Sequence, residues 1–428
     1  MRVSLFAVAA IAAALTSTHA FVTKRSPGAL SATATLTTRR FLSSNASTAS
    51  TTEAPVTASS PQQEDTIYNY TPEFDAAVTH AIQLLEQNVP SEKMLQPLVH
   101  FCKEFFLANQ DAFEAGSCPE LSAPQATLKR FMTGIQYGQT FGMGPDKFMF
   151  GSFHKAFRGK GDDGDGFEDN DIDFYTFGND FFRPTMNLKK SKVLGRNHFE
   201  EAMGKLRKGE NVIFFANHQS EADPQVMSVL MEQLLEGMEE EAPKVTFVAG
   251  HKVTTDPLAI PFSMGRNLIC IHSKKHISAD PETKGLKQKQ NLASMSAMLG
   301  LLRADEGACI WVAPSGGRDR RDLETGKVPI APFDRKTIDM FRLMGNKSKK
   351  PTHYYPLSMV SYDLCPPPDY VVAGVGEQRN VRFVPVGISC GAELSSRGGL
   401  ESRQEFCRVA EECCREKYEA LVEAIENE

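Results

Sequence analysis

The chain has 428 residues, of which 41% are hydrophobic and 23% are charged, so it can bury a substantial core and has room for two domains. Its formal net charge of −6 argues against nucleic acid as a partner, and an anionic ligand would have to be met by a local cluster of basic residues. The nine cysteines are scattered without C-x-x-C pairs, which argues against a disulfide framework or a zinc ribbon.

The first 62 residues have the composition of a targeting sequence. Residues 1–20 combine Arg2, the apolar run LFAVAAIAAAL and small residues before a cut after Ala20, as a secretory signal peptide does. Residues 21–62 are rich in Ser, Thr and Ala, carry no acid before Glu53, and resemble a transit peptide. Together they resemble the two-step import address of algae whose plastids lie inside extra membranes, and predict a location in the plastid stroma. Secretion followed by a disordered linker is the alternative.

Residues 65–145 are predicted to form a small all-helical domain. In EFDAAVTHAIQLLEQN and EKMLQPLVHFCKEFFLANQDAF, apolar residues recur at three and four positions, and no strand-like run lies between them. The acidic, Gly-rich stretch from Asp162 to Asp171 is predicted to be an exposed insertion. Its spacing lacks the terminal Glu of a calcium loop, which argues against a calcium site.

Residues 146–428 are predicted to form an α/β domain with a mixed, mostly parallel sheet flanked by helices. Helical segments alternate with short β-rich runs, several of which are apolar on both faces, as strands covered on both sides would be. The runs are VIFFA, KVTFVAG, NLICIHS, CIWVAP, YYPLSMVSY and VRFVPVGIS. A closing helix is predicted from Arg403 to Ile425. No later apolar run is long enough to cross a bilayer, so we predict no transmembrane helix in the mature protein.

The stretch VIFFANHQSEADP places His218 and Asp223 where a predicted strand leaves the sheet. The ends of strands in open α/β sheets are where ligands bind, so the two residues are candidates for an acid/base pair. Pairing would require the loop to fold back, because a spacing of five residues is not one helical face. Alternatively, His218 is a core histidine, and Asp223 caps the helix that Pro224 begins.

Two further predicted strands end in basic clusters. RNLICIHSKKHI ends in Lys274, Lys275 and His276, and WVAPSGGRDRRD ends in Gly316, Gly317, Arg318, Arg320 and Arg321. Glycines let the backbone approach a ligand closely, and arginine forks match the oxygens of phosphate. Each cluster alone is typical of a solvated surface. Jointly with the histidine, they indicate a small anionic substrate held beside a general base.

These motifs carry a resemblance to a known family. NHQSEADP matches the Asn-His-x4-Asp motif of the glycerolipid acyltransferase superfamily, and its fuller form resembles the soluble plastid glycerol-3-phosphate acyltransferases. The similarity extends through DFYTFGNDFFRP, FVAGHKV, MGRNLICIHSKKH, WVAPSGGRDR and YDLCPPP. The resemblance implies that His218 and Asp223 are the catalytic pair. It also implies that Lys275, His276, Arg318 and Arg320 hold the phosphate of the substrate.

The resemblance further implies the reaction and its partners. A fatty acyl group would pass from acyl-acyl carrier protein, or acyl-CoA, to the sn-1 hydroxyl of glycerol 3-phosphate, which forms lysophosphatidic acid. No metal and no cofactor is required. An acidic carrier protein would need a basic docking surface, for which NLKKSK and NKSKKP are candidates. The alternatives are a lysophosphatidate acyltransferase, and a carrier-binding or lipid-binding module without turnover.

Overall fold

The computed structural model of the chain describes most of the sequence after its leader. The described residues are 68–89, 91–145, 147–159, 172–273, 277, 281–367, 378–395 and 400–427. The predicted signal peptide (residues 1–20), the transit-like segment (residues 21–62) and the acidic stretch from Asp162 to Asp171 lie outside them.

In the described residues before position 146, the chain forms four helices, as the spacing of apolar residues predicts. They are α1 (Pro72–Asn88), α2 (Glu92–Glu114), α3 (Pro119–Ser122) and α4 (Pro124–Gly142). Phe105 of α2 stacks on Phe181, which follows in helix α5 (Phe174–Phe182), with ring centroids 4.5 Å apart. Aromatic residues from both sides of residue 145 thus share one core. The domain boundary there stays a prediction.

The sheet has seven strands in the order β1-β7-β6-β2-β5-β3-β4. The strands are β1 (Lys192–Leu194), β2 (Asn211–Ala216), β3 (Val245–Gly250), β4 (Asn267–Ile271), β5 (Cys309–Val312), β6 (Thr352–Val360) and β7 (Gly387–Cys390). All neighbouring pairs are parallel except β6 with β7. The prediction of a mixed, mostly parallel sheet is therefore confirmed.

Strand β2 lies at the centre of the sheet, and all six of its residues are buried. Side chains alternate across a strand, so neighbouring residues enter different cores. Phe214 packs into the core that includes the N-terminal helices, and Phe215 packs into the core beneath the C-terminal helix. The apolar run VIFFA is therefore explained by helices that cover both faces of the sheet.

Two details of the sheet differ from the sequence prediction. Strand β1 was not predicted, because three residues are too few to show a period of two. The run VRFVPVGIS forms a strand only from Gly387 onward. Pro385 lies before that point and has no N–H to donate to a ladder, which accounts for the shorter strand.

The remaining helices cover the two faces of the sheet. They are α6 (Arg196–Arg207), α7 (Asp223–Leu234), α8 (Ile260–Met264), α9 (Lys284–Arg303), α10 (Arg335–Ser348) and α11 (Leu400–Glu426). Helix α11 confirms the predicted closing helix and is slightly longer at each end. Of the helices in the described part of the chain, none combines the length and the hydropathy that crossing a bilayer requires.

Candidate active site

The central strands bring residues that are far apart in sequence to one edge of the sheet. Strands β6, β2 and β5 are parallel neighbours, so their carboxyl ends lie side by side. Ser361 follows β6, His218 follows β2, and Arg318 lies in the loop after β5. The predicted pair and the predicted arginines therefore occupy one edge. Lys275 and His276 follow β4, which ends at the same edge, but both lie outside the described residues.

His218 and Asp223 form a hydrogen-bonded pair. The His218 Nδ1 lies 2.8 Å from the Asp223 Oδ2. Because a carboxylate accepts, Nδ1 carries a proton, and in the neutral form of the ring Nε2 keeps its lone pair. The His218 side chain is 28% exposed while that of Asp223 is fully buried, so the imidazole links a buried charge to the open edge of the sheet.

The Asp223 carboxylate is saturated by donors from the surrounding loop. Its Oδ2 also accepts from the Gln219 N–H at 2.9 Å, and its Oδ1 accepts from the Ser220 N–H at 3.0 Å and from the Ser361 hydroxyl at 2.5 Å. Burial opposes ionisation, but the hydrogen bonds from His218, Ser361 and Gln219 outweigh it and hold the pKa of Asp223 below its ordinary value. The carboxylate therefore stays charged beneath the ring.

The prediction that Asp223 could serve as an N-cap is wrong. Helix α7 begins at Asp223, and Ala222 is the capping residue. The Asp223 carboxylate turns back to the preceding loop instead of to the amides of the helix. This is how two residues at a spacing of five meet, since the loop folds around the carboxylate.

Gln219 joins the histidine loop to the end of β6 and was not singled out from the sequence. Its Oε1 accepts from the Ser361 N–H at 2.8 Å and from the Tyr362 N–H at 3.1 Å. Its Nε2 donates to the Tyr418 hydroxyl of α11 at 3.1 Å. The C-terminal helix thereby braces the loop that carries His218.

Asn217 and Asp319 join the histidine loop to the arginine loop. The Asn217 Nδ2 donates to the Asp319 Oδ2 at 2.9 Å, and the Asp319 N–H donates to the His218 carbonyl oxygen at 2.6 Å. The Asp319 Oδ1 accepts from the Ala331 N–H at 2.8 Å. Asp319 is fully buried. Because it lies between Arg318 and Arg320 in the sequence, its hydrogen bonds fix the backbone that carries both arginines.

Burial raises the pKa of Asp319 to about 6, against the hydrogen bonds from Ala331 and Asn217, which lower it. Sequence reasoning missed this carboxyl because an aspartate between two arginines resembles an ordinary solvated loop residue.

Glu221 lies between two arginines at the mouth of the site. Its Oε1 is 3.6 Å from the Arg318 Nη1, and its Oε2 accepts from the Arg379 Nε at 3.0 Å. Arg379 also donates to Asp256 at 2.7 Å. Burial opposes ionisation of Glu221, but the charges of Arg379 and Arg318 outweigh it and hold its pKa below the ordinary value. No motif in the sequence signalled Arg379, because it enters the site from a distant loop.

Arg320 follows two residues later in the same loop and is half-buried. The site therefore combines a partly exposed imidazole, a buried carboxylate bonded to its Nδ1, and arginines on the neighbouring strand end. Such a set can accept a proton from a bound hydroxyl while it holds an anionic group. The described residues contain no cluster of three or more His, Cys, Asp or Glu that could hold a metal ion.

Part of the chain is similar in sequence to known proteins. Residues 197–360 match the family model Acyltransferase. The chain is 38% identical over 289 residues to the protein named glycerol-3-phosphate acyltransferase, chloroplastic, of Arabidopsis thaliana, a match that covers 66% of this chain and 60% of that protein. It is 38% identical over 287 residues to the protein of the same name from Spinacia oleracea, covering 65% of this chain and 58% of that protein.

The chain thus spans about three fifths of the length of the curated relatives that it matches. A solved 1-acyl-sn-glycerophosphate acyltransferase of Thermotoga maritima is 16% identical, with a TM-score of 0.34, covering 58% of this chain and 78% of that one. The resemblance to plastid glycerol-3-phosphate acyltransferases that the motifs predict is confirmed by the relatives.

The raised pKa of Asp319 predicts a pH dependence of stability. Because the folded-state pKa is about 6, above the unfolded value, the contribution of the protonated carboxyl is complete below about pH 4 and is lost as the pH rises through 6. Asp319→Asn does not titrate. Between about pH 4 and pH 7, we expect the free energy of unfolding of the wild type to fall relative to this variant by about 2–3 kcal/mol, measured by urea unfolding.

Asp322→Asn is the matched control in the same loop. Asp322 is exposed, and hydrogen bonds from the backbone of Thr325 and Glu324 lower its pKa, so its titration lies below this pH range. If the free energies of unfolding of the wild type and Asp319→Asn differed by the same amount at every pH, the raised pKa of Asp319 would be contradicted.

Proposed function

Starting from the match of residues 197–360 to the acyltransferase family, we propose that the chain is a glycerol-3-phosphate 1-O-acyltransferase. It transfers a fatty acyl group from a thioester donor, acyl-acyl carrier protein or acyl-CoA, to the sn-1 hydroxyl of glycerol 3-phosphate. The product is lysophosphatidic acid. The observation that carries the proposal is the His218–Asp223 pair, held at 2.8 Å beside the arginines of the neighbouring strand end.

His218 acts as the general base. Its Nε2 takes the proton of the sn-1 hydroxyl as that oxygen attacks the thioester carbonyl carbon, a role worth about 10²- to 10⁴-fold in rate. The tetrahedral intermediate collapses with loss of the thiolate, and the imidazolium returns the proton to the sulfur. The bond that forms is the ester C–O bond, and the bond that breaks is the thioester C–S bond. The substrate hydroxyl is the nucleophile, so no acyl-enzyme is formed.

Asp223 supplies orientation and charge to this step. Its bond to Nδ1 fixes the tautomer that leaves Nε2 able to accept a proton, as the carboxylate of a serine-protease triad does. When the ring becomes cationic, the carboxylate is already in place 2.8 Å away. Because loop donors fix the carboxylate beforehand, little reorganisation is needed as the charge develops.

Arg318 and Arg320 hold the phosphate of the acceptor, and Lys275 and His276 are proposed to assist. Arg318 lies in the loop beside His218 with its guanidinium 3.6 Å from Glu221, and arginine forks match the oxygens of a phosphate dianion. When the arginines bind the phosphate, the sn-1 hydroxyl of the same molecule is held near the imidazole. Its high effective molarity there accelerates the attack on the thioester. The site is thereby built for an acceptor that carries both groups.

The location of the protein is proposed to be the plastid stroma. The curated relatives bear the word chloroplastic in their names, which supports the plastid. The composition of residues 1–20 and 21–62 supports entry through a bipartite signal and transit peptide, as in algal complex plastids.

A thiol-release assay on protein without the leader tests the proposed reaction. Palmitoyl-CoA and palmitoyl-acyl carrier protein are each supplied with glycerol 3-phosphate or with lysophosphatidate as the acceptor. We expect thiol release and lysophosphatidic acid only with glycerol 3-phosphate. Turnover of lysophosphatidate alone would favour the sister acyltransferase activity, and no turnover of either would favour a binding module.

We expect His218→Ala to lower kcat by at least about a hundredfold and to leave the binding of glycerol 3-phosphate nearly unchanged. The base acts on the hydroxyl, while the phosphate is held elsewhere. His198→Ala is a suitable control, because the His198 side chain is 26% exposed, close to the 28% of His218, and lies on helix α6. Calorimetry checks binding and steady-state kinetics checks kcat. Near-wild-type kcat in folded His218→Ala would make the histidine structural.

We expect Arg320→Ala to raise the KM for glycerol 3-phosphate about ten- to a hundredfold, because it removes a charge-assisted contact worth about 1.5–3 kcal/mol. Arg320→Lys should restore only part of the loss, since a point charge keeps the attraction but gives up the fork. The KM for the acyl donor should change little.

Arg321→Ala provides the control from the same loop. Arg321 binds Asp363 and donates to the Gly326 carbonyl oxygen at 2.7 Å, so its guanidinium already has two partners. Loss of affinity for the acyl donor in Arg320→Ala, with an unchanged KM for glycerol 3-phosphate, would assign Arg320 to the donor site.

We expect residues 1–62 fused to a fluorescent protein to direct it into the plastid, and Phe21→Ala to divert it. Phe21 follows the predicted cut and begins the transit-like segment. Fluorescence microscopy in an alga with complex plastids measures the outcome. Secretion of the reporter with the native leader would refute the proposed location.

A further inference from the structure

Helix α9 projects past the edge of the sheet at which His218 lies. The Ser294 hydroxyl donates to the carbonyl oxygen of Cys270 in β4 at 2.8 Å. Three residues earlier in the helix, the Asn291 Oδ1 accepts from the His272 N–H, just past the end of β4, at 2.8 Å. The helix therefore runs antiparallel to β4, and residues 284–290 extend beyond the strand by about 10 Å at 1.5 Å per residue.

The projecting end of α9 carries an unusual surface. Leu286 and Leu292 are 59% and 70% exposed, among the most exposed large hydrophobic residues of the described chain. The exposed Lys289 lies midway between them. The three residues follow one another at intervals of three along the helix, a spacing that forms one continuous ridge. Lys284, the first residue of the helix, is also exposed and lies two residues before Leu286, beside this row. We call the row of Leu286, Lys289 and Leu292, together with Lys284 at the start of the helix, the α9 ridge.

The charge of α9 is opposite to that of the chain. Residues 284–303 contain four cations and no Asp or Glu, whereas the whole chain has a formal net charge of −6. A cationic helix on an acidic protein attracts an anionic partner to one place and leaves the rest of the surface repulsive. The exposed leucines add an apolar contact that a small soluble anion would not use.

We infer that the α9 ridge is the docking surface for an acidic carrier protein that delivers the acyl thioester to His218. The inference rests on the proposed function, because only an acyl donor must reach that edge with its thioester. In the sheet, β4 is three strands from β2, or about 14 Å at the usual strand spacing, which a flexible arm bearing the thioester can span.

A protein partner fits this surface better than an anionic membrane does. Residues 284–303 contain no Phe or Trp, the aromatic residues that accompany Leu on the apolar face of interfacial helices. The negative net charge of the chain also opposes its approach to an extended anionic surface. A local ridge of two leucines and two lysines suits a contact with a single acidic helix.

The two basic segments singled out from the sequence are less well placed. Lys350 donates to the carbonyl oxygen of Asp305 at 3.0 Å, at the far end of α9, so NKSKKP lies at the opposite edge of the sheet. NLKKSK precedes β1, which begins at the edge near His218 but on the other flank of the sheet. Lys189 and Lys190 therefore provide a matched control on the same edge.

The test measures binding and turnover in parallel. The dissociation constant of palmitoyl-acyl carrier protein is measured by calorimetry in a His218→Ala background, which prevents turnover. We expect Lys284→Glu/Lys289→Glu to weaken binding at least about tenfold, and Leu286→Ser/Leu292→Ser to weaken it severalfold. With His218 present, the KM for the carrier-bound donor should rise by the same factor, while the KM values for palmitoyl-CoA and glycerol 3-phosphate stay within about twofold.

Lys189→Glu/Lys190→Glu should leave all of these values unchanged. The inference is overturned if the α9 variants bind the carrier protein as the wild type does, if both donors are affected equally, or if only Lys189→Glu/Lys190→Glu weakens binding. It is also overturned if the α9 variants lose only their sedimentation with phosphatidylglycerol vesicles. Ridge-dependent carrier binding without acyl transfer to glycerol 3-phosphate would instead refute the proposed function and leave the docking surface standing.

Discussion

The buried carboxylate of Asp223 is the constraint on which the site depends. A fully buried charge must be compensated, and here the compensation comes from the His218 ring, from Ser361 and from backbone amides of the loop. These donors cannot reach the carboxylate unless the loop folds around it. The requirement to solvate one charge therefore determines the path of the chain between β2 and α7. It also aims the imidazole at the open edge of the sheet.

The same need for compensation connects loops that are distant in sequence. Asn217 uses its amide to bridge β6 and the arginine loop, since its Oδ1 accepts from the Met359 N–H at 2.8 Å and its Nδ2 donates to Asp319 at 2.9 Å. Asp319 in turn holds the backbone of His218. The loop that carries His218 and the loop that carries Arg318 and Arg320 are therefore joined by buried hydrogen bonds. Their separation does not depend on the surface loops, which is what orientation of a small substrate requires.

The basic residues proposed to bind the two substrates lie in two separate regions of this acidic protein. Both proposed substrates are anionic, yet the chain is acidic, so attraction must be local. Arg318 and Arg379 are balanced by Glu221 and Asp256, which limits the desolvation cost of burying cations before an anion arrives. Three of the four cations of α9, Lys284, Lys287 and Lys289, are at its projecting end, beside the same edge. Two separate basic regions can thus receive two different anionic partners without making the whole surface attractive.

Much of the fold and of the site was determined by local pattern. The all-apolar run VIFFA predicted a central strand, helix spacing predicted α1, α2 and α11, and the motif residues predicted His218, Asp223, Arg318 and Arg320 as one set. These features can be predicted because hydrophobic periodicity and residue type are visible within a short window of the sequence. Strand β1, with three residues, was too short for such a signal.

Only the tertiary structure decided how the site is held. Asp319, Gln219 and Arg379 gain their roles from partners about 100 or more residues away, such as Asn217 for Asp319, and no local pattern encodes such distances. Asp223 is the first residue of α7 instead of its cap. Its buried carboxylate accepts from amides of the preceding loop, so it is not available to cap the helix. The sequence by itself indicated that the His218–Asp223 pair and the arginines after β5 belong to one edge of the sheet. The packing of five parallel strand ends decided their geometry, because burial makes unpaired charges and amides too costly to leave unsatisfied.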